Sequence, residues 1–325
     1  MLEFVKRLLV GRPIATTEME HQRIPKTIAL AVFSSDAISS TAYATEEILF
    51  VTALGASSLA LGLGTLIPIA ISVGVLLTLV AFSYRQTIFA YPNGGGSYVV
   101  CRENLGEMPS LVAGASLLVD YILTVAVSIS AGVAAITSIP TFSSLGNHRV
   151  LFGIVLIVVI TLANLRGVKE SGKLFAFPTY LYIGILTLLV GYGLFQVFFG
   201  TDPGHVPIAK HAFEGALEGG SLGIFLILKG FSSGAVALTG VEAISNGVPA
   251  FRRPESKNAA NTLVWMAIIL GPLFLGVSIL AHHLEPYPSE KQTVIAQMGL
   301  LIFGNGPIFF VLQIATALIL TLAAN

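Results

Sequence analysis

The sequence predicts an all-α integral membrane protein of about eight spans, the first and the sixth interrupted near the middle of the bilayer. Three observations carry this. Hydrophobic residues make up 54% of the 325 positions and charged residues only 10%, where soluble domains carry about 25% charged. The apolar residues gather in several runs longer than 18, enough to cross a hydrocarbon core of roughly 30 Å. Two of those runs contain hydroxyls, small residues and a carboxylate where a membrane helix is normally apolar. A soluble globular protein, a secreted disulfide scaffold and a disordered chain are thereby excluded. No segment alternates apolar and polar residues as a transmembrane barrel strand would.

In chain order, the spans are expected at about 27–54, 59–82, 109–137, 150–165, 174–199, 222–248 and 262–282, with an eighth starting near Gly306. Ahead of them, Lys6, Arg7, Arg12, Arg23 and Lys26 are dispersed, and no short apolar core with a small-residue cleavage site follows, so no signal peptide is expected. With the N-terminus in the cytoplasm, thirteen Lys and Arg lie inside. They include Arg85, Arg102, Arg166, Lys169, Lys173, Arg252, Arg253 and Lys257. Only Arg149, Lys210 and Lys291 lie outside, and Lys229 falls in the sixth span. That asymmetry predicts a multi-pass cell-membrane protein with its N-terminus inside. The eighth span runs into Leu320–Asn325 with neither a basic anchor nor a polar tail, and reads as a chain cut short. Lys+Arg and Asp+Glu are equal at 17 each, so nothing points to a nucleic-acid partner. The single cysteine, Cys101, can form no internal disulfide.

The interruptions come from particular residues. The first span contains Phe33-Ser34-Ser35-Asp36-Ala37-Ile38-Ser39-Ser40-Thr41-Ala42-Tyr43, and the sixth contains Phe231-Ser232-Ser233-Gly234 through Thr239-Gly240-Val241-Glu242. Ser34, Ser35, Ser39 and Ser40 can bond locally to backbone and compete with the helical ladder. Gly234 and Gly240 each lower helix propensity by ~1 kcal/mol relative to Ala. Phe-Ser-Ser occurs in both spans, and Thr41 and Thr239 follow it at the same offset. Two broken helices in corresponding positions point to a secondary-transporter binding site. Packing of small residues between close helices is the plainer alternative, but does not account for a carboxylate in each span.

Asp36, Asp120 and Glu242 all fall deep in apolar runs, where a charge costs about 2.5–3.5 kcal/mol on insertion scales. No Lys or Arg is equally central. The uncompensated charge is negative, so a cation is the partner that would neutralise it. Asp120, Thr124 and Ser128 recur every four residues and share one helix face. With Tyr43 and Thr239 they supply carboxylate, phenol and hydroxyl oxygens, hard ligands suited to an alkali cation. A buried polar network that merely ties helices together would use the same residues. The six histidines lie outside the membrane centre, so proton coupling would fall to a carboxylate; which of the three is not distinguished. Glu46 and Glu47, beyond Asp36 towards the outer face, read equally as a cation-gathering vestibule or as solvated residues near a helix end. Lys229 reads as a snorkelling or paired side chain.

Two motifs then carry a resemblance. Tyr91-Pro92-Asn93-Gly94-Gly95-Gly96-Ser97-Tyr98 precedes the third span. Gly240-Val241-Glu242-Ala243-Ile244-Ser245-Asn246-Gly247-Val248-Pro249-Ala250-Phe251 closes the sixth, followed by Pro254-Glu255-Ser256-Lys257-Asn258-Ala259-Ala260. In this order, on matching spans, they resemble the amino acid–polyamine–organocation superfamily over nearly the whole chain. Phe33–Ser40 is similar to its potassium-uptake branch, the KimA-type and KUP-like importers. The resemblance implies a LeuT-like fold of five-plus-five inverted repeats with discontinuous helices 1 and 6, here truncated after about eight helices. Residues 1–26 would form a cytoplasmic segment and residues 27–325 the transporter domain, with a first repeat at about 27–199 and a partial second at 222–325. It also implies a cation held by Asp36 and Tyr43, by Asp120, Thr124 and Ser128, and by Thr239 and Glu242. Potassium and a proton would be the transported ions, with no cofactor. A cytosolic cyclic-dinucleotide regulatory domain belongs to the family pattern and lies outside this sequence. A homodimer is one assembly left open.

The expected function is therefore potassium import across the cell membrane, coupled to proton symport. The alternative is an amino acid or polyamine permease of the same fold. Such carriers resemble this chain but use a Gly-rich first break to hold a substrate carboxylate. Asp36 stands at that place, and two like charges about 4 Å apart repel by roughly 4 kcal/mol at an effective dielectric of 20. A non-transporting receptor would be indifferent to neutralising the carboxylates. No metal-ligand spacing, nucleotide loop or Ser/His/Asp arrangement suggests an enzyme.

Overall fold

A computed structural model describes residues 23–56, 58–164, 168–200, 202–207, 223–289 and 291–324. The expected N-terminal segment lies almost wholly outside the described residues. So do His21, His211 and Lys210.

The first span is a chain of short pieces: α1 (Lys26–Phe33), α2 (Ser35–Ser39), a 3-10 turn at Ser40–Ala42, α3 (Ala44–Leu49) and a π-helical turn at Phe50–Leu54. The hydroxyls cause this as expected. Ser35, Ser39, Ser40 and Thr41 donate to the carbonyls of Val32, Asp36, Ala37 and Ile38, three residues back, at 2.6–2.9 Å. Ser34 departs from the expectation: it is fully buried and its Oγ has no partner. The chain continues through α4 (Leu59–Ala90), α5 (Gly96–Leu105), α6 (Glu107–Thr137), a 3-10 stretch (Pro140–His148), α7 (Arg149–Asn164) and α8 (Val168–Phe199). The sixth span is α9 (Ile224–Gly234), a 3-10 turn at Ala235–Leu238, an unwound Thr239–Glu242 and the one-turn α10 (Ala243–Asn246). Ser232 and Ser233 stay inside α9, so the break begins after the Phe-Ser-Ser triad rather than at it. Then follow α11 (Glu255–Leu284), α12 (Val294–Phe303) and α13 (Pro307–Ala323). Six helical stretches are long and apolar enough to cross a membrane, and no strand is formed among the described residues beyond one bridge, Ile24 with Phe251.

The sequence reading left α5 and α12 without structure. At 10 residues each they are too short to span, and hydropathy alone does not separate them from loops.

In lipid, backbone groups freed by a break need partners inside the protein. Beside the first span α8 supplies hydroxyl contacts to backbone and to side chain. Thr179 Oγ1 donates to the Ala31 carbonyl at 3.2 Å and the Tyr180 hydroxyl to the Thr27 carbonyl at 2.7 Å. The hydroxyls of Tyr182 and Thr41, both fully buried, lie 2.8 Å apart. Thr41 donates to Ile38, so it accepts from Tyr182. Thr45 meets Ser278 of α11 at 3.0 Å. This gives an ordering. Tyr182→Phe leaves Thr41 bonded to Ile38 and should cost about 1 kcal/mol, whereas Thr41→Val strands the buried Tyr182 hydroxyl and should cost about 1–3 kcal/mol. Thermal unfolding in detergent, with Thr41→Val melting below Tyr182→Phe, checks it; the reverse order would refute the bond's direction.

Candidate functional site

Gly240 is where the two broken helices meet. Its φ is +74°, and a Cβ there would lie 2.6 Å from Asp36 Oδ2 and 2.8 Å from the Ala37 nitrogen. Only a residue without a side chain lets the unwound Thr239–Glu242 backbone rest on the Asp36 carboxylate. Propensity had marked Gly240 merely as a weak helix former; its role is this close approach. Asp36 Oδ1 and Glu242 Oε1 are buried with no hydrogen-bond partner in the structure. Glu242 is 8% exposed.

The structure gathers most of the expected residues. Asp36 lies within electrostatic reach of both Glu242 and Asp120, and Glu242 within reach of Asp120. The Tyr43 hydroxyl faces Thr239, which also donates to the Val236 carbonyl at 2.9 Å. On α6, Asp120 and Thr124 are half-buried and Ser128 fully buried, so this face turns inward as its spacing predicts. Ser128 Oγ is without a partner. Among the described residues, no three His, Cys, Asp or Glu side chains come close enough to hold one metal ion jointly. Asp36, Asp120 and Glu242 are therefore like charges within reach of one another, not a three-carboxylate cage.

The two sequence motifs form one unit, which spacing alone did not reveal. Gly94, Gly95 and Gly96 have φ of +75°, +97° and +45°. A Cβ on Gly94 would sit 2.7 Å from the Asn246 carbonyl oxygen, and one on Gly96 would overlap the Asn246 side chain. The glycine turn thus cradles α10, the far arm of the broken sixth span. Asn246 Nδ2 donates to the Tyr121 hydroxyl at 2.9 Å, tying α10 to α6 beside Asp120.

On one side the crossing is sealed by Phe33 stacked on Phe251 at 5.4 Å, with Gly247 packed against the Phe33 ring. On the other, two cavities of about 440 and 460 Å³ both reach Tyr43, Glu47 and Val127. Thr239 lines the second. Glu46 lines the first and is half-buried, while Glu47 is exposed. Lys229 is exposed on α9, as a snorkelling side chain would be.

Buried, uncompensated carboxylates at the crossing of two interrupted membrane helices are the architecture of a multi-pass membrane transporter. The family model for amino acid permeases matches residues 26–325, and the chain belongs to that family. It is 47% identical over 327 residues to the potassium transporter KimA of Bacillus subtilis (strain 168), covering all of this chain and 52% of that protein. It is 26% identical over 253 residues to an L-asparagine permease of Streptomyces coelicolor, covering 71% of this chain and 48% of the relative. A probable potassium transport system protein Kup 2 of Bifidobacterium longum matches at 29% over 86 residues, 25% of this chain and 12% of the relative. The chain thus spans about half the length, or less, of these curated relatives.

Proposed function

We propose that the chain is the cation-translocating part of a potassium importer, set in the cell membrane with its N-terminus inside and driven by proton symport. Potassium would be held where the first and sixth spans cross, by Asp36, Tyr43, Thr239 and Glu242, with Asp120, Thr124 and Ser128 contributing from α6. One observation carries this reading: two buried carboxylate oxygens, on Asp36 and Glu242, have no partner at the point where the backbones cross. A buried carboxylate left without a counter-charge is costly, and a dehydrated monovalent cation is the group that would relieve it. The name of the relative at 47% identity supports the choice of potassium. An amino acid zwitterion would bring a second carboxylate to the same place, against Coulomb repulsion. Residues 27–199 and 222–325 are read as the first repeat and part of the second.

Expression of the full-length protein in cells lacking potassium uptake tests the reading. Growth at low potassium and uptake of radiolabelled rubidium, both raised by an inward proton gradient, are the expected results. Uptake of amino acids with no rubidium signal would replace it by the permease alternative. Rubidium uptake indifferent to the proton gradient would remove the symport.

A further inference from the structure

Three attachments converge on the start of α12. Thr293 caps it, its Oγ1 accepting the Ala296 N–H at 3.2 Å. The Thr293 N–H donates to Ser138 Oγ at 3.2 Å, just past the end of α6. The Val294 N–H donates to Glu46 Oε2 at 3.1 Å, and Glu46 stands on α3, the outer arm of the broken first span. Gln297 staples the preceding stretch onto the same helix. Its Nε2 donates to the carbonyls of Tyr287 and Gln292 at 2.7 and 3.0 Å, and its Oε1 accepts from the Tyr287 N–H at 3.1 Å. Thr293 also lines the 440 Å³ cavity whose wall includes Tyr43, Glu46, Glu47 and Thr316. The N-cap of α12 therefore forms part of the wall of a space that also reaches Tyr43.

We propose that Glu46 is a positioning residue, a latch by which the outer arm of the broken first span holds the start of α12 at the wall of this cavity. A carboxylate on a first-turn N–H is favoured both by its charge and by the helix dipole. The first turn of α12 has no acidic residue of its own, so Glu46 supplies that charge from another helix. The group that holds the start of α12 is also one that cargo entering this cavity meets, so entry of cargo and release of α12 act on the same carboxylate. This goes beyond the potassium reading. It rests on the chain being a transporter whose path uses the cavity, whatever the cargo.

The test reads access directly and needs no knowledge of the cargo. In the full-length protein, with Cys101→Ser and any cysteine outside these residues also replaced, a Thr316→Cys reporter in the cavity is labelled by a membrane-impermeant maleimide from the α12 side. Glu46→Ala should raise the labelling rate by about tenfold, the scale on which losing one charge-assisted hydrogen bond shifts a two-state opening. Glu46→Gln keeps an oxygen for the Val294 N–H and should stay within about threefold of the parent. Glu47→Gln, in the same cavity but without a bond to α12, should change nothing. If Glu46→Ala does not reach the membrane, Val294→Pro decides. Proline is tolerated at the first helical position, and Thr293 at φ −67°, ψ 158° already has the extended backbone that proline requires before it. That variant removes the donor, leaves Glu46 in place and should label about as fast as Glu46→Ala. Unchanged labelling in whichever of the two variants is inserted, or a Glu47→Gln effect as large as that of Glu46→Ala, would overturn the latch. A failed rubidium assay would leave these rates as they are, so the two readings fail separately.

Discussion

Replacing Asp36 by asparagine should lower potassium or rubidium uptake by at least about 100-fold while raising the melting temperature in potassium-free buffer. The two effects share one cause. A carboxylate with an unpartnered buried oxygen, in reach of two like charges, destabilises the empty fold. Asparagine fills nearly the same volume without the charge. It removes the repulsion and, with it, the attraction for a cation; stability sacrificed at a binding site is a recognised trade-off. The wild-type protein should melt higher as potassium is added, because a ligand that binds only the folded state stabilises it. Asp36→Asn should show no such potassium-dependent shift, and Glu242→Gln should follow in the same direction. Thermal melts with and without potassium, beside tracer uptake, check this. If Asp36→Asn melts lower than wild type and still responds to potassium, Asp36 is a structural residue and the cation lies elsewhere.

The second large effect is expected at Gly240. Gly240→Ala places a methyl group 2.6 Å from Asp36 Oδ2 and 2.8 Å from the Ala37 nitrogen. An L-residue at φ +74° carries a further cost of about 1–2 kcal/mol. The neighbours here are backbone and a short carboxylate, which cannot swing aside as a long side chain would, so the two breaks must separate. Uptake should fall by more than about tenfold, with a lower melting temperature, the opposite sign from Asp36→Asn. Gly184 is the control: a Cβ there meets nothing within 4 Å. Gly184→Ala should be neutral or stabilising by about 1 kcal/mol through helix propensity. Equal behaviour of the two alanine variants would mean that the crossing is not held by close backbone approach.

The residues differ in how much of this could be read from them. The break in the first span was legible because its cause is local: Ser35, Ser39, Ser40 and Thr41 bond carbonyls three positions away. The inward face of α6 was legible because helical periodicity is a property of the sequence. The partner of Glu46 was not, since Val294 lies 248 positions further on. The vestibule and solvated-end readings of that residue both missed its bond to a backbone N–H. The glycine turn at Gly94–Gly96 was recognisable as a motif, yet the reason for Gly94 and Gly96 is the proximity of Asn246, which only the folded chain supplies; Gly95 instead lies against Val99. Spacing brought Asp120, Thr124 and Ser128 together; it could not say that Asp36, Asp120 and Glu242 stop short of forming a joint cage.

The bridge between Ile24 and Phe251 has a mechanical consequence. Ile24 donates to the Ala250 carbonyl at 3.0 Å and accepts from the Arg252 N–H at 3.2 Å, and Arg23 pairs with Glu255 beside it. The lower limbs of both kinked spans are thereby yoked together, with Phe33 clamped between Gly247 and Phe251 as a shared hinge-pin. Any doorway that opens on this side must swing both limbs in tandem or first unzip the short two-residue seam joining them.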